Sequence, residues 1–280
     1  MEQSIRVAVV TGAASGIGFS LASRLIEQNF AVVMVDNNEV MLKKSFENLS
    51  YQTNVSLIPC VCDISKESDV ERLVSLTYQH FPHVNYLFNN AGVSGPLAPV
   101  WSLKLEEIKH TMNVNVFGTV NCIQQFVPRL INQKTSAHII NIGSVYSLVS
   151  SSYMSAYAMS KHALLALSES LLFDLKREGH PIDVSIVLPS FVNTALLDGH
   201  KDASTFQAMM QKLLVMGRSA NDVANHILNG VVDKQFYILP DREAKTYCEE
   251  RIAAILSQKE PFEHALQKMA HKLILRATLL

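Results

Sequence analysis

The chain is poor in the features that mark secreted, membrane-spanning or nucleic-acid-binding proteins. Its 280 residues hold only four cysteines, Cys60, Cys62, Cys122 and Cys248, and none has the spacing of a zinc site. Cys60 and Cys62 lie on one apolar run, so buried reduced thiols and a reducing compartment, the cytoplasm, are expected. The ten histidines are scattered, with no pair at ligand spacing, so no metal is expected. Charged residues make up 18% and the formal net charge is −1. That excludes the strong field that gathers nucleic acid or an anionic membrane. No apolar run reaches the ~18 residues that a membrane span requires. No secretory leader is visible, because an apolar strand begins at Ile5. There is no internal repeat and no low-complexity linker. What the chain does have is 48% hydrophobic residues. That is enough for a large core, and α/β folds of about 250 residues often form one domain.

Short apolar runs at residues 5–10, 31–35, 55–61, 86–88, 138–142, 183–188 and 236–239 read as buried strands. Helical patterns separate them: Leu21, Leu25 and Ile26, then one long helix over residues 106–131, then 156–175 and 221–232. This alternation supports a parallel α/β sheet. Residues 1–240 form the main unit. Residues 241–280 add helical patterns at 242–256 and 261–275, the second with Leu266, Met269 and Leu273 on one face. Packing on protein is the expected role of that tail, ahead of a membrane surface.

The chemistry-bearing residues fall at strand ends. Between the first strand and the first helix stands Thr11-Gly-Ala-Ala-Ser-Gly-Ile-Gly18. Glycines there let the backbone approach a diphosphate, and the helix start supplies unpaired N–H groups with partial positive charge. Asp36 ends the second strand, where an acidic residue accepts hydrogen bonds from an adenosine ribose. It equally suits a cap for the helix that follows. Ser65 is a candidate N-cap for the third helix. Trp101 has two readings, as pocket wall or as packing for its own loop. Asn115 sits mid-helix, where a polar residue marks a local distortion of the backbone ladder. Tyr157 and Lys161 are one helical turn apart, which sets an ammonium beside a phenol. A nearby cation favours the phenolate and brings its pKa down from ~10. Ser144 follows the apolar strand 138–142, and its hydroxyl suits a substrate oxygen near that phenol. The Met-rich segment 195–217 suits a bulky, apolar substrate, because Met adapts its shape.

The order and spacing of the glycine turn, Asp36, Asp63, Asn89-Asn-Ala-Gly92, Asn115, Ser144, Tyr157, Lys161 and Pro189-Ser-Phe-Val-Asn-Thr194 resemble the short-chain dehydrogenase/reductase family, in its single-domain branch. The resemblance spans residues 5–239. It implies a doubly wound Rossmann sheet of seven parallel strands with helices on both faces, followed by the C-terminal helical extension. It also implies an oxidoreductase that moves a hydride between a nicotinamide cofactor and the carbinol or carbonyl carbon of an alcohol or ketone. Catalysis would fall to Asn115, Ser144, Tyr157 and Lys161, with Tyr157 as general acid/base and Asn115 holding a water path to Lys161. The cofactor would meet Gly12, Ser15, Gly16, Ile17, Gly18, Asp36, Asp63, Ile64, Asn90, Ala91, Gly92, Tyr157, Lys161, Pro189, Val192 and Thr194. The Asp36 carboxylate repels a 2′-phosphate, and Asn37 and Asn38 bring no cation, so NAD is expected ahead of NADP. The family's pattern also makes segment 195–217 a lid and the long helices a route to a homodimer or homotetramer. Two departures stand out. Gly143 occupies a position where many relatives have a second Ser. Ser190 replaces a Gly, which would strain the backbone if φ there is positive. The alternative from another class is a non-catalytic NAD-binding sensor or scaffold. An isomerase or epimerase fits less well, since no large separate substrate domain is visible.

Overall fold

The structure, a computed structural model, describes residues 5–133, 135–197, 205–263 and 267–268. In chain order the elements begin β1 (Arg6–Thr11), α1 (Gly16–Glu27), β2 (Phe30–Asp36), α2 (Glu39–Ser50), β3 (Leu57–Val61), α3 (Glu67–His80) and β4 (Tyr86–Asn89). They continue α4 (Leu105–Met112), α5 (Gly118–Asn132), β5 (Ala137–Ile142), α6 (Ser155–Arg177), β6 (Ile182–Val187) and β7 (Val192–Asn193). The last are α7 (Thr205–Met216), β8 (Arg218–Ser219), α8 (Ala220–Val232), β9 (Tyr237–Ile238) and α9 (Arg242–Leu256).

Seven strands make one sheet in the order β3-β2-β1-β4-β5-β6-β9, with every neighbouring pair parallel. Alternate residues of each strand meet opposite faces. Val7, Val9, Val33 and Val35 pack with Val70 and Leu73 of α3, Cys122 and Phe126 of α5, and Leu171 of α6. Ala8, Val10, Val32 and Met34 pack with Leu21 and Leu25 of α1, Leu42 of α2 and Ile227 of α8. Both faces are covered, which is why these strands read as unbroken apolar runs. Each large side chain wholly buried here, such as Phe30, Phe88 or Phe126, contributes about 2 kcal/mol. The sheet's order reverses direction between β1 and β4. Crossovers leave that point in opposite senses and open a crevice at the carboxyl ends of the strands.

Three local expectations change. The helix expected over residues 106–131 is α4 and α5 joined by a π turn, Asn113–Phe117, in which the Gly118 N–H bonds the Asn113 carbonyl. α3 starts at Glu67 with Lys66 at its N-cap; Ser65 bonds Asp63 instead. A small separate ladder, β7 with β8, pairs Val192 with Arg218 and was not legible beforehand. In the tail, α9 matches the pattern at residues 242–256. Leu266, Met269 and Leu273 lie outside the described residues, as do residues 198–204 of the Met-rich segment.

Candidate active site

The crevice is a cleft of about 550 Å³, within the usual range for small-molecule sites. One half is built mainly of backbone. Gly12 and Gly16 adopt φ of 65° and 54°, left-handed conformations that give the turn its shape. Ser15 stands at the N-cap of α1, yet its side chain makes no capping bond, and the first turn carries no acidic residue. The helix start thus remains able to receive an anion. Gly18 works behind the wall rather than on it. A Cβ there would lie 2.1 Å from the Gly12 carbonyl oxygen, so only Gly lets α1 sit this close to its own turn.

The polar residues of this half hold strand ends together. Asp36 accepts from Ala14 N–H at 3.1 Å and from Asn38 N–H at 2.9 Å. The cap of α2 is Asn38, which accepts from Met41 N–H, and not Asp36. Asp63 accepts from the Ser65 N–H and hydroxyl, and Lys66 stands 3.5 Å away. Burial pushes the Asp63 carboxyl up, but these bonds and the ammonium outweigh it and leave the pKa lowered. Ile64 packs over Gly118, where a Cβ would come within 2.7 Å of it. The Asn90 amide donates to the Thr11 carbonyl at 2.8 Å, and the Thr11 hydroxyl accepts from Asn90 and Ala91 N–H. These bonds lock the β1 and β4 ends around the crevice.

The other half holds the reactive side chains. Ser144 ends the turn out of β5 and caps a short helical turn, Val145–Ser147, by accepting from Tyr146 N–H at 3.2 Å. Tyr157, in the first turn of α6, is buried and lines the cleft with Ser144. Its ring meets Tyr146 edge-on, centroids 5.7 Å apart. Lys161 is buried one turn on; its Nζ donates to the Ile142 carbonyl at 2.9 Å and lies 5.5 Å from the Tyr157 ring centre. The expected lowering of the phenol pKa is not what this arrangement shows. Burial pushes Tyr157 up to about 12, against the pull of the Ser144 hydroxyl. Lys161 is itself brought down to about 8 by burial. Its ammonium is held by a backbone carbonyl beside the ring.

Asn115, in the π turn, is wholly buried rather than solvent-facing. Its amide donates to the Val93 carbonyl and to Ser160 Oγ, both at 2.9 Å, and its carbonyl accepts from Val93 N–H at 2.8 Å. A Cβ on Gly92 would meet Asn115 Oδ1 at 3.1 Å and Lys161 Nζ at 3.6 Å, so that backbone runs between the two.

Of the residues singled out in the sequence, Gly12, Ser15, Gly16, Ile17, Asp36, Asp63, Ile64, Asn90, Ala91, Gly92, Ser144, Tyr157, Lys161, Pro189, Val192 and Thr194 all line the cleft. Gly18 and Asn115 stand behind the lining. Trp101 takes neither of its two readings: it is 87% exposed and absent from the wall. Ser190 is not among the described non-glycine residues with positive φ, so it carries no such strain; its N–H donates to Asp241 at 2.8 Å. At Gly143 a Cβ would come within 2.9 Å of the Leu188 and Ser147 side-chain ends, so a second Ser there would require those two side chains to shift. Sequence reasoning missed Tyr146, whose ring meets Tyr157. Leu196 and Leu214, members of the apolar segment 195–217 singled out in the sequence, line the cleft wall.

A glycine turn at a helix start, at the switch point of a parallel sheet, defines a dinucleotide-binding protein. Residues 6–205 match the family model described as short chain dehydrogenase. The chain is 32% identical over 243 residues to 1-deoxy-11-beta-hydroxypentalenate dehydrogenase of Streptomyces avermitilis, covering 85% of this chain and 86% of that protein. It is 27% identical over 278 residues to a CLA biosynthesis dehydrogenase/reductase of Lactiplantibacillus plantarum, covering 93% and 96%. Among solved structures it resembles a short chain dehydrogenase/reductase from Burkholderia phymatum in complex with NAD, at TM-score 0.88 and 28% identity, over 94% of this chain and 99% of that one. The chain belongs to the short-chain dehydrogenase/reductase family. It is accordingly an oxidoreductase acting on hydroxyl and keto groups with a nicotinamide cofactor, which sets aside the non-catalytic alternative. No helix among the described residues is long and apolar enough to cross a membrane.

Proposed function

We propose that this chain uses NAD to interconvert a largely apolar alcohol and its ketone, with Tyr157 as the proton carrier. The observation that carries the reading is the meeting of Ser144, Tyr157 and Lys161 on one cleft wall, with the ammonium 5.5 Å from the phenol ring centre. Asp36 supports NAD over NADP: it puts a carboxylate at the adenosine end, flanked by Asn37 and Asn38 and by no cation on that wall. Ala195, Leu196 and Leu214 support an apolar substrate, since they line the cleft that also holds Ser144 and Tyr157. The compound named for the Streptomyces relative, 1-deoxy-11-beta-hydroxypentalenate, likewise carries a hydroxyl group.

The residues divide the work. Gly12 to Ile17, Asp36, Asp63, Ile64 and Asn90 to Gly92 would hold the adenosine and diphosphate, and Lys161, Pro189, Val192 and Thr194 the nicotinamide end. Bound there, the nicotinamide supplies the hydride donor or acceptor. The Ser144 hydroxyl donates to the substrate oxygen and stabilises charge developing on it. The resting phenol keeps its proton, which suits giving it to a carbonyl oxygen. Taking a proton from an alcohol relies on the Lys161 cation to stabilise the phenolate. Asn115 serves the proton path by holding the segment from Gly92 to Val93 against Lys161, since its own side chain is saturated.

On this reading residues 1–240, with the extension 241–280, act as one domain. The protein works in the cytoplasm as a homo-oligomer through α5 and α6, where Phe117, just before α5, and Phe173 are exposed. The test is Tyr157→Phe, which lowers kcat by about 10³-fold on a panel of secondary alcohols while NADH still binds. Turnover retained in that variant refutes the assignment.

A further inference from the structure

The segment that follows Ser144 has no regular structure between its short helical turn and α6, and it is tied from outside. Arg251, near the end of α9, donates to the Leu148 carbonyl and to His162 Nε2. His162 follows Lys161 on α6. Its Nδ1 bonds the Ala158 carbonyl at 2.8 Å and so carries the proton, which leaves Nε2 to accept from the guanidinium. A second tie comes from Gln267. Its Oε1 accepts from Ser152 N–H and its Nε2 donates to Ser152 Oγ, both at 2.8 Å. Between these ties Ala244 of α9 is buried in the apolar cluster of Tyr146, Val149, Met154 and Tyr157.

The segment also stores strain. Tyr153, one residue beyond the Gln267 tie, has φ of 66°. A bulky residue persists there only when its surroundings over-determine it. Here those surroundings are Gln267 on one side and Phe206 of α7 on the other, stacked on Tyr153 at 5.1 Å. The strained residue thus joins the extension to the apolar wall.

We propose that the C-terminal extension belongs to the substrate-binding machinery: Arg251 and Gln267 are positioning residues that fix residues 144–153, and with them Ser144 and the Tyr146–Tyr157 contact, for an incoming substrate. The inference rests on the reading of Ser144 and Tyr157 given above. One guanidinium nitrogen, Nη1, bonds both the Leu148 carbonyl and the ring on α6, and so ties the loop to that helix.

The test measures steady-state kinetics and NADH affinity for Arg251→Ala, Arg251→Lys and Gln267→Ala in the full chain. Exposed Glu249→Gln on the same helix is the control, and melting temperature is followed throughout. Misplacement remote from the chemistry can cost up to about 100-fold. Arg251→Ala is expected to lower kcat/KM for substrate by about tenfold or more, and Gln267→Ala by about threefold, with NADH affinity within about twofold. Arg251→Lys recovers part of the loss. Unchanged kcat and KM in Gln267→Ala overturn the proposal even if Arg251→Ala fails to fold. So does a parallel loss of NADH affinity, which reports general loosening. Tyr157→Phe, run alongside, separates the two claims. If it still turns over, the catalytic reading fails; if it is inactive while the Arg251 and Gln267 variants match the parent, only this inference fails.

Discussion

The two halves of the cleft are made differently. The half proposed to hold the cofactor is backbone and short polar side chains at the ends of β1, β2 and β4, locked by local bonds such as Asn90 to Thr11. The half proposed to hold the substrate is assembled from distant segments. Tyr146, Leu197, Phe206, Met210 and Ala244 share one apolar cluster, drawn from the β5–α6 loop, the β7–α7 region and α9. The first half must fit a molecule of fixed shape, so its residue types are constrained one by one. The second needs only apolar side chains of suitable volume, which many combinations supply.

The comparison can be broken most sharply at Asn115. Asn115→Ala strands the Val93 N–H and carbonyl, while the Ser160 hydroxyl keeps its bond to the Tyr157 carbonyl. Each stranded group costs about 1–3 kcal/mol, so unfolding by urea should show a loss of about 2 kcal/mol or more, with turnover reduced alongside. A neutral result would mean that the segment from Gly92 to Val93 is held some other way. Next is Asp36→Asn, which keeps an acceptor for Asn38 N–H but removes the charge. The ratio of kcat/KM with NAD to that with NADP should fall by about tenfold or more. An unmoved ratio would detach Asp36 from cofactor choice. The smallest effect belongs to Leu214→Ala on the substrate wall. It should raise KM for a bulky apolar alcohol by about tenfold and leave a small one nearly untouched. Equal changes for both would show that Leu214 supports the fold and not the substrate.

The same contrast explains what could be read in advance. The glycine turn, Asp36, Asn90 and Lys161 announce themselves because each answers a local demand: a tight turn, a strand-end carboxylate, a helix-turn spacing. The π turn at Asn115 was legible only as a distortion, since its geometry depends on Val93 and Ser160, far away in sequence. The raised pKa of Tyr157 was not legible at all. Helical spacing brings Lys161 near the ring, but the pull of the Ile142 carbonyl on its ammonium is set by packing of α6 against β5. The role of Arg251 was equally hidden, because its partners Leu148 and His162 lie about ninety to a hundred residues away.

The central claim is that Tyr157 carries the proton. It is tested most directly by the pH dependence of kcat/KM in both directions at saturating cofactor. Burial holds the Tyr157 phenol protonated, up to about 12, and brings Lys161 down to about 8. Alcohol oxidation needs the deprotonated phenol and should therefore rise with pH. Ketone reduction needs the proton in place, so it should stay level below the phenol's pKa of about 12. A rising oxidation profile beside a level reduction profile, with the rise lost in Tyr157→Phe, is the predicted result. A flat oxidation profile, or a rise that persists in Tyr157→Phe, would contradict the account.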